Sequence, residues 1–262
     1  MKSKVVARWS KLALGVAAVL ALAGISIPAS YAADGATIYV VQGLPGKNLD
    51  VAVDGKSVAK NIKTAAVAGP FEVKAGSRKV TFSENGDTVL DRVFSVKANS
   101  SSDVVVHLPA SAGADPMVTV FRNDLVKLSK DKASLVVAHT AVVPPADIRV
   151  NGKVLFANIA NGESLALTVP VATYEVEIVP TGETKPVVLG PVALTVQGGA
   201  VNRVYAVGDP EKKTMNVAVH VIPTGSKGSG KPSKVDTGTG GQATGQGTTL
   251  KLPSGAAVQL TR

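Results

Sequence analysis

Short runs in which hydrophobic and polar residues alternate follow one another along most of the chain. Eight of these runs are rich in β-branched residues, a pattern that favours strands. No segment between residues 33 and 222 keeps a helical period over any length. The eight predicted strands lie at 36–42, 50–55, 78–84, 103–108, 134–140, 147–152, 174–180 and 216–222.

The pattern occurs twice. The segment DVAVDGKSVAKNI at 50–62 returns as DIRVNGKVLFANI at 147–159, an offset of 97 residues with six of thirteen positions identical. The segment at 100–108 likewise corresponds to 200–208. We expect about seven strands in each copy, which predicts an all-β fold of two tandem immunoglobulin-like antiparallel β-sandwiches.

The two copies define the expected domains, residues 33–128 and residues 129–222. The connection at 122–134 is too short and too apolar for a free tether, because it carries Leu125 and Leu128. We therefore expect the two domains to pack against one another.

Turn residues separate the predicted strands. Asp54-Gly55 and Asn151-Gly152 occupy the same place in the two copies, between two strand-like runs. Such pairs favour a type I′ turn, which needs positive φ at both central residues. We expect both pairs to form two-residue hairpins.

The first 32 residues have the character of a secretory signal peptide. A basic start with Lys2, Lys4 and Arg8 precedes fourteen apolar residues at 12–25 and a small-residue cleavage site ending at Ala32. Fourteen residues fall short of the ~20 that span a bilayer as a helix. We expect cleavage, and no transmembrane anchor in the mature chain.

Residues 223–262 form the expected tail. They are dominated by Gly, Ser, Thr and Lys, which predicts disorder because little apolar surface can be buried. The last stretch, 250–262, is mildly amphipathic, and its pattern fits either a loose strand or an unstructured segment.

The net charge of +9 lies mostly outside the predicted domains. The signal holds four basic residues and the tail five, so residues 33–222 keep 19 basic against 18 acidic residues. A nucleic-acid-binding domain carries its basic residues as a patch on the fold. We expect no nucleic-acid partner.

The second copy carries motifs of a known family. LVVAHT followed by PPADIRVNG, a VP-x-A-T-Y strand and VYAVG occur in that order within 117–208. This stretch resembles the domain of unknown function 4397 family, whose domains occur in exported bacterial proteins and are often duplicated. The first copy departs more, since Gln42 stands where His139 stands. The resemblance implies a secreted or cell-surface β-sandwich with no assigned activity.

Exported relatives are often held at the cell wall by a sorting signal. Here Leu252-Pro253-Ser254-Gly255-Ala256 is only a near match, and six residues follow it. The chain has no cysteine to carry a lipid. We expect a secreted protein that is extracellular or loosely associated with the wall.

His139, Asp147 and Asp50 are the candidate site residues. The two Asp residues recur at one place before each hairpin, where a carboxylate commonly accepts backbone N–H groups. The structural interpretation is preferred for all three. The alternative pairs His139 with Asp147 in a hydrolase or metal-dependent enzyme at the domain junction, although no nucleophile motif completes such a dyad.

Other motifs weaken on inspection. Gly225 to Lys231 has the spacing of a phosphate-binding loop, but Pro232 stands where that loop needs Ser or Thr. His107, His139 and His220 lie in three separate predicted strands without the spacing of a zinc site. We expect no cofactor, no metal and no catalytic residue. The predicted function is a non-enzymatic interaction or structural protein with an unknown extracellular or cell-wall partner.

Overall fold

The computed structural model describes residues 35–225 and the backbone of residues 258–261. Those residues form seventeen β-strands and no α-helix. The predicted signal peptide and residues 226–257 of the predicted tail lie outside the described residues.

The first module contains eight strands in two sheets. Its inner sheet has the order β4-β1-β7-β8, and its outer sheet the order β3-β2-β5-β6. The strands are β1 (Gly35–Gln42), β2 (Asn48–Val53), β3 (Lys56–Lys63), β4 (Val67–Lys74), β5 (Gly76–Glu84), β6 (Asp87–Val96), β7 (Ser101–His107) and β8 (Met117–Arg122).

The second module repeats this order, with one strand added at the edge of its inner sheet. Its inner sheet has the order β17-β12-β9-β15-β16, in which β17 is the added strand, and its outer sheet the order β11-β10-β13-β14. The strands are β9 (Lys132–Ala141), β10 (Ala146–Val150), β11 (Lys153–Ile159), β12 (Ser164–Pro170), β13 (Thr173–Pro180), β14 (Leu189–Thr195), β15 (Ala200–Gly208), β16 (Asn216–Pro223) and, at the C-terminus, β17 (Val258–Thr261).

The prediction of two tandem all-β sandwiches is confirmed. Each of the eight predicted runs lies on a strand, and each module has eight strands of its own rather than about seven. The strand order differs from the arrangement of immunoglobulin constant domains, in which strands 1, 2, 5 and 4 share one sheet. Here the first strand of each module pairs in parallel with the seventh. The likeness to immunoglobulin domains is therefore one of layered architecture.

The two sandwiches stack into four layers, because their inner sheets face each other. One apolar core lies between the inner and outer sheets of the first module and another between those of the second. A third core, which includes Val105, Phe121, Ala138 and Ala218, joins the two inner sheets.

Burial on both faces explains the composition of the inner strands. Every residue of β7 and of β15 is buried, as expected for strands that are covered on two sides. Outer strands such as β6 are buried only at intervals, because one of their faces meets solvent. The described residues include no helix with the length and apolar character that crossing a membrane requires.

Candidate functional site

His139 and Gln42 fasten the same loop in the two modules. The carboxamide oxygen of Gln42 accepts a hydrogen bond from the N–H of Leu44, and its Nε2 donates to the carbonyl of Lys47 at 2.8 Å. These partners lie two and five residues further along the chain. Gln42 thus ties down the loop that follows β1.

His139 makes the matching contacts in the second module. Its Nδ1 accepts a hydrogen bond from the N–H of Ala141 at 3.4 Å, and its Nε2 donates to the carbonyl of Pro144 at 3.2 Å. These partners also lie two and five residues further on. Burial lowers the pKa of the His139 imidazole. The neutral imidazole of His139 therefore holds the loop after β9 through the same two backbone positions that the Gln42 amide holds in the loop after β1.

Asp50 and Asp147 also act alike. Oδ1 of Asp50 accepts a hydrogen bond from the N–H of Asn61, and Oδ1 of Asp147 accepts one from the N–H of Asn158, both at 2.8 Å. The two Asn residues have φ of 54° and 55°, so each carboxylate stabilises a left-handed residue in the neighbouring strand.

His139 and Asp147 do not form a dyad. The second oxygen of Asp147 accepts a hydrogen bond from the N–H of Gly182 at 2.9 Å, and the partners of His139 are backbone groups. No hydrogen bond or ion pair joins the two side chains in the part of the chain that the structure describes. The arrangement supports the structural interpretation of all three candidates.

The two hairpin pairs occupy the connections β2–β3 and β10–β11. Asp54 and Gly55 have φ of 49° and 79°, and Asn151 and Gly152 have φ of 49° and 75°. All four values lie in the left-handed region that a type I′ turn requires. Oδ1 of Asp54 and Oδ1 of Asn151 accept equivalent backbone N–H groups, at 2.9 and 3.0 Å.

His107 lies fully buried near the junction of the modules. Its ring nitrogens contact the carbonyl of Leu108 at 2.9 Å and Oγ1 of Thr119 at 2.8 Å. Burial lowers the pKa of His107 to about 4. The neutral tautomer satisfies both partners, with Nδ1–H donating to the carbonyl and Nε2 accepting from the hydroxyl.

A buried cluster of polar side chains around Asp103 was not among the predicted site residues. Asp103 of β7 is fully buried and receives three hydrogen bonds. Tyr205 donates from its hydroxyl at 2.6 Å, His220 from Nδ1 at 2.8 Å and Asn123 from Nδ2 at 2.7 Å. Tyr205 and His220 belong to the second module, so this cluster joins the two inner sheets.

Arg203 adds a positive charge whose electrostatic effect on Asp103 is smaller than that of His220. One of its terminal nitrogens donates to the carbonyl of Arg122, and its guanidinium carbon lies 5.8 Å from the ring centre of Phe121. Nε and Nη1 of Arg203 have no hydrogen-bond partner among the described residues. Its charge acts on Asp103 through space.

The protonation of the cluster follows from these contacts. Burial raises the pKa of Asp103, but the electrostatic effect and hydrogen bond of His220, together with Arg203 and Asn123, outweigh burial and lower it overall. Burial and the neighbouring carboxylate raise the pKa of Tyr205 well above its usual value. The cluster therefore holds an ionised Asp103 and a protonated Tyr205 at neutral pH.

Asp103 and Arg203 occupy equivalent places in the two modules. Asp103 lies opposite Tyr39 in the β1–β7 pair, and Arg203 lies opposite Val136 in the β9–β15 pair. Tyr39 and Val136 are separated by the repeat offset of 97 residues. The ring of Tyr39 also packs on His220, with ring centres 4.1 Å apart.

The cluster can hold the modules together, but its burial keeps it from meeting a substrate. Asp103, Tyr205 and His220 have no exposed surface. Residues 35–225 contain no group of three or more His, Asp or Glu side chains placed to hold a metal ion. A sequence signal for the cluster exists, since Asp103 and Arg203 are charged residues that directly precede apolar runs at equivalent positions.

One apolar void lies inside the second module. Its volume is about 20 Å³, and its walls are aliphatic side chains of both sheets, among them Val137, Ile178 and Val204. A space of this size is close to the smallest that admits one water molecule. It offers no room for an organic ligand.

The comparison with known families assigns part of the chain. Residues 36–146 match the family model DUF4397, a domain of unknown function. A search of curated proteins finds no match. The matched region covers the first module and continues through β9 to the start of β10.

This match supports one copy of the domain. It falls mainly on the copy that the motifs marked as the more divergent, and it shares only residues 117–146 with the stretch that resembled the family. The duplication itself rests on the internal repeat and on the identical strand order of the two modules.

Proposed function

We propose that this chain is a secreted or cell-surface protein without enzymatic activity, in which the two modules act as one rigid body that engages an extracellular or cell-wall partner. The observation that carries the proposal is the fully buried contact of Asp103 with Tyr205 and His220. These buried polar groups join the modules and have no exposed surface, so they do not line a cleft.

Rigidity follows from the energetics of that contact. A hydrogen bond to a charged group contributes about 1.5–3 kcal/mol, and two of those that Asp103 accepts cross from one module to the other. Sliding or opening the modules would break the hydrogen bonds that Tyr205 and His220 of the second module donate to Asp103 of the first. A body that holds its two outer sheets in a fixed relation suits a spacer or a binding scaffold.

The behaviour of His139 weighs against the enzymatic alternative. A general base must reach the proton that it removes, whereas both ring nitrogens of His139 are engaged by the backbone of its own loop. Gln42, which cannot act as a base, makes the corresponding contacts in the first module.

Secretion is proposed from the sequence of residues 1–32, with its basic start, apolar segment and small-residue cleavage site. The lack of cysteine and the incomplete sorting motif at 252–256 argue for release or for loose wall association. The family match adds no activity, since that domain has none assigned.

Fractionation of cells that make the protein tests its location. We expect the full chain in the culture medium or in a salt wash of the wall. Recovery only after muramidase digestion, linked to peptidoglycan, would contradict the proposed loose association.

The enzymatic alternative is tested on purified protein and its His139→Gln variant. The proposal predicts that neither holds stoichiometric metal, and that both capture the same wall or extracellular components when immobilised. Metal that co-purifies with the unaltered chain and is lost from His139→Gln would overturn the non-enzymatic proposal. The Gln42→His variant is the matched control for a change at the equivalent loop.

A further inference from the structure

The two inner sheets end in equivalent edge strands that are built differently. Strand β4 carries Gly69-Pro70 at a bulge in its pairing with β1, followed by Glu72 and Lys74. Proline lacks an N–H, and bulges and charges are the usual protection of a sheet edge. The edge of the first module is therefore closed to another strand.

Strand β12 lacks this protection. Its sequence SLALTVP has no charged residue, and its proline is the last residue of the strand. Ala68 and Phe71 of β4 pair with Val40 and Ile38 of β1. Leu165 and Leu167 of β12 pair with Val137 and Leu135 of β9, which are the equivalent positions 97 residues later. Ala166 alone thus stands where the first module has Gly69-Pro70.

The chain itself covers the open edge. Residues Val258–Thr261 form β17, which pairs with β12 in antiparallel register, with Ser164 opposite Thr261 and Leu167 opposite Val258. No strand takes this place beside β4 in the described residues. The edge that lacks protection is the one that carries an added strand.

The residues of β12 alternate between hydrogen-bonding β9 and presenting their N–H groups to β17. The N–H of His139 donates to the carbonyl of Glu163, so odd-numbered residues of β12 exchange hydrogen bonds with β9. The N–H groups of Ser164 and Ala166 then face β17. Those groups are available to any extended segment in this register.

Chain length allows two sources for that segment. Strand β12 lies three strands from β16, about 14 Å at the usual strand spacing. The intervening residues 226–257 would span roughly 110 Å if fully extended. The C-terminal segment can therefore reach β12 of its own chain or β12 of a neighbouring copy.

We propose that the β12 edge is a strand-docking site whose ligand is the C-terminal segment 258–261, and that this segment also docks on β12 of a second copy. Docking within one chain is favoured at low concentration, because a tether holds the segment at millimolar effective concentration. Reciprocal exchange of the segment between two copies then gives a domain-swapped dimer, whereas one-way exchange joins copies head to tail. The proposal does not depend on the proposed function.

The absence of cysteine from the chain permits a clean test. Leu165 and Leu260 lie opposite each other in a pair without mutual hydrogen bonds, for which the Cα separation is about 4.5 Å and within the range for a disulfide. We expect the Leu165→Cys/Leu260→Cys double variant to form an internal disulfide at a rate independent of protein concentration.

Exchange is tested by mixing the two single-cysteine variants. We expect disulfide-linked heterodimers of Leu165→Cys with Leu260→Cys, and their yield should rise with protein concentration. The control pair Leu165→Cys with Gln259→Cys places the two side chains on opposite faces of the sheet and should link far more slowly. Adding Ala166→Pro, which removes an N–H facing β17, should lower both kinds of linkage.

Two results would overturn the proposal. Internal linkage that is absent, or no faster than in the Gln259→Cys control, would contradict docking on β12. Internal linkage without linked heterodimers at the highest soluble concentration would contradict exchange between copies. The Ser164→Cys/Thr261→Cys pair, which replaces only polar residues, repeats the test if Leu165→Cys impairs folding. Neither readout depends on secretion or on a wall partner.

Discussion

The loops of the two modules and their facing sheets have diverged to different degrees. In the loops, Gln42 and His139 bind the chain two and five residues further on, and Asp50 and Asp147 bind equivalent Asn residues. In the facing sheets, by contrast, Asp103 and Arg203 occupy equivalent positions with opposite charges.

Physical constraints explain the difference. Each loop side chain hydrogen-bonds only groups of its own module, so both copies retain the same pattern of hydrogen bonds. The facing sheets bury their side chains against each other, and identical residues at 103 and 203 would bring two like charges together in an apolar interface. Joining the copies therefore requires the two surfaces to differ.

The largest expected effect comes from breaking the facing-sheet contact. Asp103→Asn removes the buried carboxylate that accepts hydrogen bonds from Tyr205 and His220, and we expect a loss of about 3–5 kcal/mol in the free energy of unfolding. Chemical denaturation measures this loss. The control Asp50→Asn alters one half-buried loop contact and should cost less. Equal losses in the two variants would contradict the special role of the facing sheets.

Acid should destabilise the junction next. The folded pKa of His107 is about 4 against an ordinary value of 6.5, so the unfolded chain binds more protons between these values. Stability is then complete above about pH 6.5 and falls as pH drops toward 4, by about 3 kcal/mol for this residue. The lowered pKa of His139 adds a loss of the same sign.

Thermal melts between pH 7 and pH 4 check this prediction. His107→Gln should flatten the dependence, because no proton can then be taken up at that position. A melting temperature that stays constant over this range in the unaltered protein would contradict the assignment of a buried neutral imidazole.

Substitutions in the two hairpins test whether the β2–β3 and β10–β11 turns are equivalent. Gly55 and Gly152 have positive φ, and outside the adjacent residues no atom lies within 4 Å of the position that a Cβ would take, so a side chain is opposed by backbone conformation alone. Gly152→Val should cost about 1 kcal/mol or more, and more than Asn151→Asp. Gly55→Val should likewise exceed Asp54→Asn in thermal melts. A Gly that is replaced without loss would break the equivalence of the two turns.

The smallest effect is expected at the matched loop residues. His139→Gln should change the free energy of unfolding by less than about 1 kcal/mol, since Gln42 makes the same contacts. His139→Ala removes the acceptor for the Ala141 N–H and the donor to Pro144, and should cost about 1–3 kcal/mol. Denaturant titration separates the two variants, and equal losses would show that the side-chain contacts are unimportant.

Sequence reasoning succeeded where the controlling interactions are local. Alternating runs predicted eight strands, and Asp-Gly or Asn-Gly pairs predicted turns at positions where φ is positive. Strands such as β4 and β14 were missed, since Pro70 and Pro191 interrupt their patterns. The Asp103 cluster was missed because His220 is 117 residues away and meets it only when two sheets stack.

Differential scanning calorimetry of the chain at neutral pH shows whether the two modules unfold together. If complementary buried charges make one body of the two modules, unfolding is a single transition whose calorimetric and van't Hoff enthalpies agree. Two separate transitions, or a calorimetric enthalpy near twice the van't Hoff value, would show that the modules unfold independently and would contradict the account.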